Sequence, residues 1–179
     1  MSYVSEAAGH ASNVYTVGGM CKGSGMIMPN MATMIAAITT DAPVEPAALH
    51  ALLLSTVKQT FNKVTVDSDT STNDTCIMLA SGAAAADAEP IVEGSDAFDE
   101  LAFAVHEVCE SLARNIAADG EGASKLVTVN VTGARERRGG RYRRPVPLPT
   151  RPLVKTCIAG HDCNWGPRCY GAWQVRREV

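Results

Sequence analysis

Apolar positions recur along this chain in two rhythms, one helical and one strand-like. Between residues 96 and 118, Phe98, Leu101, Ala102, Val105, Val108, Cys109, Leu112 and Ile116 fall three or four apart, and that single stripe predicts a helix over 96–118. A second helix is predicted over 43–60, where Pro46 suits a first turn and Leu49, Leu52, Leu53, Val57 and Phe61 keep helical spacing. The continuous apolar run at 33–39 predicts a strand buried on both faces. Shorter strands are expected at 63–66 and 75–80, flanking the polar loop 67–74, and at 15–17, ended by the pair Gly18-Gly19. Residues 126–131 alternate apolar and polar, as a half-exposed strand does. Residues 83–88 read as a small-residue connector, and 1–14 carry no strong pattern. Strands and helices alternate without an internal repeat, which predicts an α/β or α+β fold with a sheet covered by helices.

Composition narrows the class. The chain has 179 residues, 46% of them hydrophobic and 20% charged, as expected of a soluble domain with a real core. No apolar run approaches the roughly 18 residues of a membrane span, and the first residues lack a basic-then-apolar leader pattern. A cytoplasmic protein without a membrane partner is expected. The six cysteines are scattered through apolar runs, with Cys76 and Cys109 reading as small core residues rather than disulfide partners. Cys157, His161, Cys163 and Cys169 crowd together but contain no CxxC pair, so no metal site is expected there.

Charge is unevenly spread. Residues 1–134 hold 5 basic and 16 acidic side chains, a balance of −11, whereas 135–179 hold 11 basic and 3 acidic, a balance of +8. The basic half begins with RERRGGRYRRPVPLPTR at 135–151, whose seven arginines could serve a phosphate-binding arm and whose PVPLP could be a polyproline ligand. Interleaved aromatics are almost absent, Tyr142 excepted, so a solvated strip without a nucleic-acid partner is the expectation.

The chemistry concentrates at residues 22–42, KGSGMIMPNMATMIAAITTDA. Turns at Gly23-Ser24-Gly25 and Pro29-Asn30 lead to Ala32-Thr33, and Thr33 opens the apolar stretch. A hydroxyl residue after a turn, at the head of a buried strand, is where a Thr nucleophile would sit; the bland alternative is a β-branched strand residue. If the chain is cut before Thr33, that residue carries both nucleophile and base, because its free α-amino group titrates at about 7.7–8.0. The cut can use the same atoms. The Thr33 hydroxyl attacks the Ala32 carbonyl, shifts the acyl group from nitrogen to oxygen and releases it to water.

That block resembles the bifunctional glutamate N-acetyltransferase / ornithine acetyltransferase family of arginine biosynthesis. Three further blocks follow in the family's order: TFNKVTVDSDTSTNDTCIMLASG at 60–82, DGEGASKLVTVNVTG at 119–133 and PLVKTCIAGHDCNWG at 152–166. The resemblance implies a layered αββα architecture, incomplete here. Residues 1–32 would end an α fragment, 33–134 would begin the β fragment with its Thr nucleophile, and 152–166 would resume the match. Residues 135–151 and 167–179 have no family counterpart and read like an aberrant insert and tail translated out of frame.

The resemblance also implies a mechanism. Thr33 would take an acetyl group from N-acetylornithine, release ornithine and pass the acetyl to glutamate; bifunctional members also accept acetyl-CoA as donor. No cofactor and no metal are implied. Lys22 matches the family's substrate-binding lysine, a cation for a substrate carboxylate. Glu121 matches its substrate-contacting glutamate, an anion for the amino group of ornithine. The cleaved α and β fragments would stay paired and assemble as a heterotetramer. The family's oxyanion-hole Thr-Gly pair has no match here, and losing one oxyanion donor costs roughly 10² to 10³ in rate. This stretch by itself is therefore expected to be inactive. Two other readings stand beside this one: a non-catalytic remnant that pairs with a partner, and a different Thr-nucleophile amidohydrolase.

Overall fold

The computed structural model of this protein describes residues 2–3, 14–23, 34–66, 74–85, 87–120, 122–129 and 152–162. They fall into two units, Met1–Glu121 and Gly122–Val179. The first holds one mixed sheet of order β1-β2-β3-β4, formed by Ser2–Tyr3, Val17–Lys22, Ile35–Thr40 and Thr75–Ala80. Strands β2 and β3 are antiparallel; β3 and β4 are parallel, joined through helix α1 (Pro46–Gln59). Helix α2 (Asp96–Ala118) follows β4. The α/β expectation holds.

Each element has a local cause. Pro46 opens α1, where its missing N–H costs nothing. At the head of α2 the Ser95 hydroxyl accepts a hydrogen bond from Phe98 N–H at 3.2 Å, and Asp96 and Asp99 complement the positive end of the helix. The apolar stripe of α2 then buries Leu101, Val105, Val108, Cys109, Leu112 and Ile116 against Val17, Ala36 and Ile38 of the sheet, with Leu52 and Val57 of α1 in the same cluster.

The structure corrects four expectations. Strand β2 runs through Gly18-Gly19 instead of ending there, because the glycine serves packing rather than a turn. A Cβ on Gly19 would lie 2.8 Å from Ile38 Cδ1 and 3.0 Å from both Leu112 Cδ1 and Val108 Cγ1, so α2 rests directly on the strand backbone. Strand β3 is buried on one face only: Ala36, Ile38 and Thr40 are covered, whereas Ile35 is 57% exposed. Residues 63–66 are no strand; a short 3₁₀ turn, Phe61–Lys63, is pinned by the buried Phe61 and leads into irregular chain. Residues 123–129 are likewise irregular, and Leu126, Val127 and Val129 are all exposed; the described residues of the second unit include no strand for them to pair with.

The second unit is described by 122–129 and the helix α3 (Pro152–Ala159). Lys125 Nζ donates to the Ile158 carbonyl at 2.6 Å and to the Ala159 carbonyl at 3.4 Å, capping the carbonyl end of α3 with a cation. His161 follows in the left-handed region at φ 57°, as residues after a helix end often do.

Candidate functional site

Strand pairing lays out the sheet face turned away from the helices as three rows. Lys22, Ile35 and Thr75 form one row, Met20, Ala37 and Ile77 the next, and Gly18, Thr39 and Leu79 the third. The first row stands at the carboxyl end of β2 and the amino ends of β3 and β4. Lys22, expected from sequence to bind a carboxylate, is exposed there directly opposite Ile35. Ala32, Thr33 and Glu121, the other expected site residues, lie outside the described residues. In sequence, however, Thr33 stands two positions before Ile35 and Glu121 three positions after the last residue of α2.

Met34, the residue after Thr33, is held from two sides. Its N–H donates to Asp74 Oδ1 at 2.6 Å, and its carbonyl accepts from Thr75 N–H at 2.8 Å. Its side chain is buried in the core. The other carboxylate oxygen, Asp74 Oδ2, is buried, and no donor among the described residues reaches it. Sequence reading passed over Asp74, because a polar loop carries no periodicity to mark one carboxylate among three. The available signal was its place at the foot of a predicted strand, inside the second of the four blocks.

The thiols under this site are chemically quiet. Burial pushes Cys21 up, Cys76 up to about 11 and Cys109 up to about 12, with neighbouring thiols adding a smaller push at the last two. Nucleophilic chemistry needs the thiolate, so these cysteines act as core residues. At the opposite end of β3 an open depression is lined by Thr16, Thr39, Asp41 and Ser81 among others. Its polar groups are already engaged: Asp41 Oδ1 accepts from Thr16 N–H at 2.7 Å, and Ser81 Oγ accepts from Ala83 N–H at 3.3 Å. The Cys157 thiol bonds to the Asp162 carbonyl, while Cys163 and Cys169 lie outside the described residues. His106, Glu107 and Glu110 on α2 gather ligand atoms within 4.8 Å of one another, with Arg114 also reaching Glu110 at 3.9 Å. No helix among the described residues is long and apolar enough to cross a membrane.

A mixed sheet backed by helices, with Lys22 and Ile35 opposed on its open face, defines an α/β protein. The chain belongs to the ArgJ family, whose profile matches residues 3–172. It is 49% identical over 153 residues to the arginine biosynthesis bifunctional protein ArgJ of Bradyrhizobium diazoefficiens, covering 84% of this chain and 37% of that protein. The protein of the same name from Lactococcus lactis is 48% identical, with 86% and 38% covered. The crystal structure of ArgJ from Bacillus halodurans superposes with a TM-score of 0.60 at 34% identity, covering 79% of this chain and 64% of that one. The chain thus spans a little over a third of the length of the curated relatives it matches.

Proposed function

We propose that this chain is the self-cleavage region of an acetyltransferase of arginine biosynthesis. In the complete protein, Thr33 is freed at its amine by cutting of the Ala32–Thr33 bond. It then takes an acetyl group from N-acetylornithine, releases ornithine and delivers the acetyl to glutamate. Acetyl-CoA serves as a second donor in a bifunctional enzyme. Lys22 holds a substrate carboxylate, and Glu121 faces the amino group of ornithine. No cofactor is required, and the cut halves remain paired as a heterotetramer in the cytoplasm.

The observation that carries this reading is the pairing of Lys22 with Ile35, two residues from Thr33 in sequence. Opposed residues of an antiparallel pair stand about 4.5–5.5 Å apart on one face, so a cation is available where β3 begins. Family membership supports the assignment, because the relatives bear the name of a bifunctional protein of arginine biosynthesis. After the cut, the free amine takes the Thr33 hydroxyl proton; base assistance of this kind is worth roughly 10² to 10⁴ in rate. The test is transfer from N-acetylornithine to glutamate by the protein completed to the length of its relatives. Thr33→Ala should abolish it, and undiminished transfer by that variant would overturn the reading.

A further inference from the structure

The proposed transfer offers glutamate, which carries two carboxylates, a single cation. Lys22 can hold one of them, and Glu121, itself an anion, can hold neither. We infer that the Thr75 hydroxyl receives the side-chain carboxylate of glutamate and thereby sets the acceptor specificity of the site, an inference that rests on the acetyl transfer proposed above.

Three observations single out Thr75. It shares a row with Lys22, because Lys22 pairs with Ile35 and Ile35 with Thr75, and all three are exposed. The row stands at the head of β3 and is held there by main-chain bonds: Thr75 N–H donates to the Met34 carbonyl at 2.8 Å, while Asp74 Oδ1 accepts from Met34 N–H at 2.6 Å. The rest of the open face offers no equal. Met20, Ala37 and Ile77 in the next row carry no strong donor, and the Thr39 hydroxyl in the third already donates to the Gly18 carbonyl at 3.4 Å.

The spacing suits a ligand with an anionic group at each end of a short apolar chain. Neighbouring strands lie about 4.7–4.9 Å apart, so the backbones of Lys22 and Thr75 stand roughly 9–10 Å from each other. The flexible four-carbon stem of lysine spans part of that gap to reach one carboxylate, the hydroxyl donates to the other, and Ile35 between them offers apolar surface to the methylenes. N-acetylornithine has one carboxylate and ends in a cation, for which Glu121 is the partner, so it makes less use of the hydroxyl. Being neutral, and both donor and acceptor, a hydroxyl also admits glutamate without repelling the cationic chain of departing ornithine, as a second lysine would.

The test is steady-state kinetics of the protein completed to the length of its relatives, where kcat/KM for each substrate reports its own half of a ping-pong cycle. Thr75→Val keeps the β-branched shape and the backbone bond to Met34 but removes the hydroxyl. It should lower kcat/KM for glutamate roughly 10-fold or more and that for N-acetylornithine far less, and Thr75→Ser should restore most of the loss. Equal falls for the two substrates, an undiminished kcat/KM for glutamate in Thr75→Val, or a Thr75→Ser variant as weak as Thr75→Val would each overturn the inference while leaving acetyl transfer itself standing. An unmodified protein that moves no acetyl group to glutamate would overturn the underlying reading, and this inference with it.

Discussion

Lys22 and Ile35 stand opposite each other across β2 and β3, both exposed on the face turned away from the helices. That pairing sets Lys22 beside the start of the strand that follows Thr33 in sequence. Removing its charge should weaken substrate capture more than chemistry. A charge-assisted hydrogen bond is worth about 1.5–3 kcal/mol, so Lys22→Ala in the completed protein should raise KM for N-acetylornithine roughly 10- to 100-fold, with a smaller fall in kcat. Steady-state kinetics decide this, and an unchanged KM would remove Lys22 from the site.

Gly19 lets α2 lie on β2. With Ile38, Leu112 and Val108 all within 3.0 Å of where a Cβ would stand, Gly19→Val must push the helix away or strain three core side chains. Overpacking of this kind costs about 1–3 kcal/mol. The variant should unfold at lower denaturant concentration, and adding Leu112→Ala should recover part of the loss by opening space.

The two faces of β4 should respond in opposite ways to the same substitution. Met78 points into the core at 8% exposure, whereas Leu79 on the open face is 58% exposed. Met78→Lys buries an unpaired charge and should prevent stable folding. Leu79→Lys should change stability by no more than about 0.5 kcal/mol. Chemical denaturation of the two variants, side by side, checks the register of the sheet.

Buried thiols make stability depend on alkaline pH. Cys76 and Cys109 titrate at about 11 and about 12 in the fold against an ordinary value of 9.0, because burial disfavours the thiolate. Above the ordinary value the unfolded chain loses these protons and the folded chain keeps them. The stabilisation from the neutral thiols is therefore full below about pH 9 and declines as pH rises towards 11–12. Urea midpoints should fall over that range, and the double variant Cys76→Ala, Cys109→Ala should show a shallower fall. Equal slopes would contradict the burial of these groups.

Helix α2 was legible in the sequence to the residue, because an uninterrupted apolar stripe marks its face; the Ser95 cap at its start came with the structure. Strand β2 was not, since a glycine pair looks the same whether it turns the chain or admits a helix. Strand β3 was misjudged for a related reason: a continuous apolar run shows that both faces are apolar, not that both are covered. Lys22 was named as a site candidate through the resemblance of its surroundings to a known family, and the structure adds its neighbour across the sheet, Ile35. Asp74 needed coordinates, because its significance lies in a bond to a residue 40 positions away.

The most direct test of the account is the covalent state of Thr33 during turnover. The protein completed to its relatives' length would be mixed with N-acetylornithine, quenched, and its Thr33-initiated peptide weighed. An acetyl group on that threonine, lost when glutamate is added and absent in Thr33→Ala, is the expected result. Transfer to glutamate that proceeds without any acetylated Thr33 would contradict the account.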